Sequence, residues 1–161
     1  MFRWFRRLWF AKQPPVLPDG QWVKLCDSVG LIAPVGLGWI WEGSFVPTWT
    51  PSRELIVEAE SRVESYLRSY PRNRKGESEH DWLRRYSAPL IAANLRNYQR
   101  QYAGIQLEDR QALFINFFPH RFGKESTTHF VNVEDGGHAY FQLIYRPEER
   151  DFPWFQVNGE A

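Results

Sequence analysis

Cysteine is nearly missing from this chain. Cys26 stands alone among 161 residues, which excludes an internal disulfide and a cysteine-rich zinc module. With no local partner it reads as a buried structural thiol rather than a nucleophile. A surplus of either charge is missing too: Lys and Arg number 20 against 19 Asp and Glu, a net charge of +1. Nucleic-acid binders take most of their affinity from excess positive charge, so nucleic acid is set aside as a partner. Long apolar runs are absent. The longest, SVGLIAPVGLGWIW at residues 28–41, has 14 residues, where a membrane-spanning helix needs about 20. Gly30, Pro34, Gly36 and Gly38 interrupt it, so it reads as buried extended or turn structure.

Catalytic signatures are equally scarce. There is no nucleophile elbow, no phosphate-binding loop and no dinucleotide fingerprint; Gly36-Leu37-Gly38 falls well short of one. Of the four histidines, His120, His129 and His138 recur every nine residues, which is not a local zinc-ligand spacing. No catalytic residue is assigned, and no metal or cofactor is expected. There is no internal repeat, and a charged fraction of 24% excludes a disordered chain.

Aromatic residues are plentiful: 8 Trp, 7 Tyr and 12 Phe. Such side chains fill cores and also anchor interfaces. The first residues, MFRWFRRLWFAK, carry Arg3, Arg6, Arg7 and Lys12 without an acid. Phe2, Trp4, Phe5 and Trp9 supply apolar bulk, the make-up of a short interfacial segment whose anchoring would be weak. No continuous apolar stretch follows the charges, so a signal peptide is not expected. Residues 1–20 read as a peripheral basic and aromatic arm with a Pro-rich linker, and residues 21–161 as a single α+β domain. The expected location is cytoplasmic, with membrane-surface contact through the arm as an addition.

Residues 21–49 read as short strands and turns. A helix is predicted from about residue 51, with Thr50 as cap and Pro51 in its first turn. Leu55/Ile56, Ala59, Val63, Tyr66/Leu67 and Tyr70 recur at helical spacing, and Pro71 ends it. Arg72, Arg74 and Lys75 fall in a polar loop. A second helical stretch is predicted from Ser78, with Trp82, Leu83 and Tyr86 on its apolar side. Pro89 is expected to kink or interrupt it, and Leu90, Ile91, Asn94, Leu95, Tyr98 and Tyr102 continue it toward Gly104.

Beyond Gly104 the period becomes two. Strands are predicted at Ile105–Glu108, Ala112–Phe118, Thr128–Glu134, His138–Tyr145 and Phe152–Asn158. Asp135-Gly136-Gly137 has hairpin chemistry. The fold class follows as α+β: two N-terminal helices packed on one face of a C-terminal antiparallel four- to five-stranded meander sheet.

Alternation sorts the strand residues by face. Leu113, Ile115, Phe117, Val131, Val133, Phe141, Leu143, Tyr145, Phe155 and Val157 form an apolar set, assigned to the helix-covered core. The opposite set mixes rings with carboxamides: Phe114, Asn116, Phe118, Phe130, Asn132, His138, Tyr140, Gln142, Trp154, Gln156 and Asn158. Rings for area and a few directed amides for orientation are what a binding site uses. Either this face is a working surface, or the aromatic residues 1–46 or a second copy of the chain cover it. Its candidate contact residues are Asn116, Asn132, His138, Tyr140, Gln142, Trp154 and Gln156. Base stacking on such a sheet is disfavoured, since residues 110–161 hold five basic and seven acidic residues.

The stretch from Tyr98 to Ala161, with RQYAGI, LFINFFPH, VNVEDGGHAYFQLIY and FPWFQVNGEA, resembles the C-terminal core of small bacterial proteins of uncharacterised function. The helix-then-meander order over about residues 51–161 is similar to the cystatin-like superfold, including nuclear-transport-factor-like domains. That resemblance implies pocket enzymes, peptide binders, assembly modules or toxin-immunity partners, and fold does not choose among them. The expected function is a non-enzymatic binding or interaction module that holds a protein, a second copy, a peptide or a small ligand on the aromatic–amide face. The alternatives are a small pocket enzyme with His138 and Asp135 as acid–base pair, or a membrane-peripheral protein tethered by residues 2–10.

Overall fold

In the computed structural model, which describes residues 21–25, 29–37, 40, 45–71, 78–119, 130–133 and 135–159, two serines start the long helices. The Ser52 hydroxyl accepts the Leu55 amide at 3.2 Å and opens α1 (Arg53–Ser69), satisfying one of the amides that a helix start leaves unpaired. This cap lies two residues beyond the predicted Thr50. Ile56, Ala59, Val63 and Leu67 point inward at the predicted spacing. Ser78 opens α2 (Glu79–Ala93) with a reciprocal capping box: its hydroxyl accepts the Asp81 amide, and the Asp81 carboxylate accepts the Ser78 amide.

Two predictions for α2 are corrected. The helix runs through Pro89, which is exposed, and it ends at Ala93 instead of reaching Gly104. Leu95–Asn97 form one 3₁₀ turn, and β3 (Tyr98–Leu107) takes over. Tyr98 and Tyr102 are four residues apart, a spacing that fits a period of 3.6 and a period of 2 alike.

The remaining strands are β1 (Gln21–Lys24), β2 (Val29–Ile32), β4 (Arg110–Pro119), β5 (Phe141–Arg146) and β6 (Asp151–Val157). They form one six-stranded sheet in the order β1-β2-β3-β4-β5-β6. All neighbours are antiparallel except β2 and β3, which run parallel with Gly30 opposite Arg100. The predicted fold class is therefore overturned. The sheet is mixed rather than a C-terminal antiparallel meander, and the helices lie mid-chain with strands on both sides of them in sequence. The coarser description stands: α+β, with a mostly antiparallel sheet. A parallel pair requires a long crossover, and the crossover from Ile32 to Tyr98 contains both helices, which it lays on one face.

That face is the larger core. Ile56, Ala59, Val63, Leu67, Leu83 and Ile91 from the helices pack on Tyr102, Ile115, Phe117, Phe141, Leu143 and Phe155. Gly104 admits Trp49 at the start of this layer: a Cβ there would lie 2.2 Å from the Trp49 carbonyl oxygen, while the Trp49 indole donates to the Ile105 carbonyl at 2.9 Å.

The predicted strand Thr128–Glu134 is not observed in its described part, since Phe130–Val133 belong to no strand. Asp135-Gly136-Gly137 closes no hairpin there. The Gly136 and Gly137 amides both donate to the Gly159 carbonyl, at 2.9 and 3.0 Å, and Gly137–Ala139 form a 3₁₀ turn ahead of β5. Gly136 sits at φ +116°, where an added Cβ would meet the Tyr140 ring at 2.6 Å. A bulge between β5 and β6 turns Phe152 onto the helix side against Tyr145, at 5.1 Å between rings. No helix among the described residues is long and apolar enough to cross a membrane.

Candidate functional site

Strand register lines up a row of carboxamides across the sheet. Gln101 on β3 pairs with Asn116 on β4, Asn116 with Gln142 on β5, and Gln142 with Gln156 on β6. The row is hydrogen-bonded. Asn116 Nδ2 donates to Gln101 Oε1 at 3.3 Å and to the Val131 carbonyl at 2.7 Å. Gln101 Oε1 also accepts the Val131 amide at 2.8 Å. Gln142 Nε2 donates to Asn116 Oδ1 at 3.2 Å and to Asn158 Oδ1 at 3.1 Å, and Asn158 Nδ2 donates to the Val133 carbonyl. Side-chain amides thus grip the backbone of residues 131–133, supplying the bonds that a neighbouring strand would have supplied.

Rings flank this row and are covered in turn. Phe114, fully buried, lies 5.4 Å from Phe45 and 5.9 Å from Phe130, ring to ring. Leu31, Ala33 and Ile40 complete a second apolar cluster with Ala103, Ile105, Ala112 and Ile144. The aromatic–amide face is accordingly an interior layer, closed by Leu31, Ala33, Leu37, Ile40, Phe45 and residues 130–133. Val131 belongs with this cover; its backbone is held by the amides, and it leaves the helix-side set to which alternation had assigned it together with Val133.

The predicted contact residues scatter. Asn116 and Gln142 are buried at 2% exposure, with their bonds made inside the fold. Gln142 Oε1 is the exception, a buried acceptor with no partner among the described residues. Asn132 and His138 are exposed, and Tyr140 is half-buried. Trp154 is half-buried between Phe45 and Phe114. Gln156 Oε1 accepts from Arg84 of α2 at 2.9 Å. Phe2, Trp4, Phe5 and Trp9 lie outside the described residues. The acid–base alternative required His138 and Asp135 facing into a closed cavity; both are exposed ahead of β5.

Two further groupings bring titratable side chains together. A cleft of about 360 Å³ opens between α1, α2 and β6, with Tyr66, Tyr70, Trp154 and Phe155 on its walls. Its charged pair is self-satisfied: Arg84 binds Asp81 at 2.5 Å and Gln156 at 2.9 Å. The hydrogen bond from Arg84, then that from Ser78, holds the Asp81 carboxyl down to about 2. The second grouping is buried on the helix side. Tyr102 donates to Glu60 at 2.8 Å, and Arg100 meets the same carboxylate at 3.3 Å while lying over the Phe117 ring. Burial first, and then the Glu60 charge, push the Tyr102 phenol well above its ordinary value. In the second grouping the Tyr102 phenol that meets the Glu60 carboxylate is fully buried, and among the described residues no cluster of His, Cys, Asp and Glu could hold a metal ion.

The feature that sequence reasoning missed is the outer face of α2. Trp82 and Tyr86, predicted on the apolar side together with Leu83, are 46% and 53% exposed, and Leu90 is 38% exposed. The Trp82 and Tyr86 rings stack at 5.3 Å and 6°. Pro89 and Ala93 are exposed on the same side, so five residues make a row without a formal charge. The inner side of the same helix holds Leu83, Ala88, Ile91 and Ala92 in the core. A helix apolar on both sides is normally covered on both sides; Trp82, Tyr86 and Leu90, at i, i+4 and i+8, were the available signal. Comparison with known protein families, with curated proteins and with solved structures gives no match for this chain.

Proposed function

We propose that the protein is a non-enzymatic interaction module that works through the outer row of α2 rather than through the aromatic–amide face. The observation behind this reading is the contrast in cover: the amide row is occupied by residues 130–133 of its own chain, whereas Trp82, Tyr86 and Leu90 stand open. Large apolar side chains in one exposed row mark a contact surface. Scattered ones need no explanation, but three at successive helical turns are not scattered. Asp81 and the cap at Ser78 fix the start of the helix that presents them, so the row is preorganised for contact.

The test pairs stability with contact. Replacing Trp82, Tyr86 and Leu90 together by Ser is expected to leave the fold intact, with a change within about 0.5 kcal/mol per site, as for surface positions. A photo-crosslinker placed at Ala93 in the otherwise unchanged chain, in cells, is expected to form adducts that vanish in the triple variant. The same crosslinker at exposed Ser61 of α1 is expected to form none. A triple variant that unfolds, or equal adducts at both positions, would sink the reading.

A further inference from the structure

Resting on that reading, we infer that the occupant of the α2 row is the α2 row of a second copy, laid antiparallel across a two-fold axis. The spacing of the row is that of a helix seam. Trp82, Tyr86, Pro89 and Ala93 are exposed at intervals of four, three and four residues, the alternation that turns one narrow stripe of a helix toward a partner helix. Leu90 flanks the stripe.

The row is tapered, and the taper chooses the orientation. Its first half holds the two largest side chains, Trp82 and Tyr86, stacked at 5.3 Å. Its second half holds Pro89 and Ala93, which leave a shallower surface. In a two-fold pair the same stripe must complement itself. Run parallel, two rows set Trp82 on Trp82 and leave a gap at Ala93. Run antiparallel about a point between Ser87 and Ala88, they set Trp82 opposite Ala93 of the other copy and Tyr86 opposite Pro89 of the other copy. Large then meets small along the stripe, which is how packed layers fill.

Charge disfavours the parallel sense. In sequence, Glu77, Glu79 and Asp81 stand at or just before the start of the helix, and no acid follows until Glu108. A parallel pair brings Glu79 to its equivalent, whereas the antiparallel register sets position 79 opposite position 96, an arginine. The basic residues of this stretch are not spare charge. Arg84 is tied to Asp81 and Gln156, Arg100 to Glu60, and Arg85 and Arg96 also have partners within their own chain. Association therefore rests on the apolar stripe. A standard interface engages about 20–30 residues a side, so five make a weak, reversible pair anchored on the stacked rings.

Sedimentation equilibrium of the full chain, between about 10 μM and 1 mM, tests this. The unaltered chain is expected to pass from monomer to dimer and no further, because a closed two-fold pair uses up its own surface. Replacing Trp82, Tyr86 and Leu90 together by Ser is expected to weaken association about tenfold or more, with helical ellipticity kept. Cysteine trapping reads the orientation. A Cys26→Ala, Glu79→Cys chain and a Cys26→Ala, Arg96→Cys chain are expected to form a mixed disulfide when oxidised together. Neither is expected to link to itself, since like positions lie about 25 Å apart along the pair. A chain that stays monomeric throughout overturns the inference, and so does a triple variant that associates like the unaltered chain, or a Glu79→Cys chain that links to itself in preference to the Arg96→Cys chain. If the unaltered chain stays monomeric while the crosslinker at Ala93 still forms row-dependent adducts with another protein, the second copy is refuted and the contact surface stands. If both fail, both fall.

Discussion

The second face of the sheet and the outer row of α2 are made of the same kinds of residue. Phe114, Phe130 and Trp154 crowd the one; Trp82, Tyr86 and Leu90 line the other. Yet the first is sealed and the second is open. The difference lies in which distant segments fold over each. Phe45 reaches Phe114 across the sheet, and the Val131 backbone is caught by Gln101 and Asn116. No amphipathic pattern reports such partners, because pattern describes a face and not its cover. Carboxamides suit the sealed role for a physical reason. Each offers both donor and acceptor without a charge to desolvate, so a row of them can hold an irregular backbone inside a core.

The largest expected effect would break the sealed half of this comparison. Phe114→Ala should cost about 3–5 kcal/mol in urea denaturation, the range for a fully buried aromatic; a loss under about 1 kcal/mol would mean that the layer is loosely packed or open. Next in size is Asn116→Ala. It leaves the Val131 carbonyl and the Gln142 amide without a shared partner, for about 1–3 kcal/mol per buried group left unmet. Gln142→Leu should cost less, because its Oε1 already lacks a partner among the described residues and that deficit disappears with it. Hydrogen exchange sharpens the point: the Val131 amide should lose protection in Asn116→Ala. Equal costs for the two variants, with Val131 still protected, would show that something other than the amide row holds residues 131–133.

Much of the local structure was legible in sequence. The α1 core positions, the start of α2 near Ser78, the short strands at Gln21–Lys24 and Val29–Ile32 and the face-by-face sorting of Ile115, Phe117, Phe141 and Leu143 all follow from period and turn chemistry. The errors sit where one spacing serves two periods or where a contact is remote. Tyr98 and Tyr102 suit helix and strand equally, which hid most of β3. The β2–β3 pairing joins Gly30 to Arg100, and its parallel sense depends on the whole crossover. Thr128–Glu134 alternates like a strand, but its described part is held by side chains rather than by a ladder. For α2, two apolar sides were read as one, because Leu83 and Trp82 are adjacent in sequence and nearly a third of a turn apart in space.

The smallest expected effect concerns the link between the two regions. Asp81 caps α2 and binds Arg84, and Arg84 in turn reaches Gln156 on β6, so one pair ties the open row to the edge of the sheet. The Asp81 carboxyl lies at about 2 rather than 3.8, chiefly through the Arg84 hydrogen bond. A group whose value is lowered on folding adds stability above its unfolded value, and that stability disappears as pH falls through the folded one. The difference in stability between the unaltered chain and Asp81→Asn should therefore be constant above about pH 4 and shrink toward pH 2, the window set by those two values. Because the pair is only part-buried, its contribution is modest and should fall with added salt. Helical ellipticity should follow the same curve, while the protection of Val131 in the sealed layer should not. A difference that persists unchanged to pH 2 would show that the Asp81 charge, and with it the Arg84 link, contributes nothing to holding the helix, and that the variant differs for reasons of shape alone.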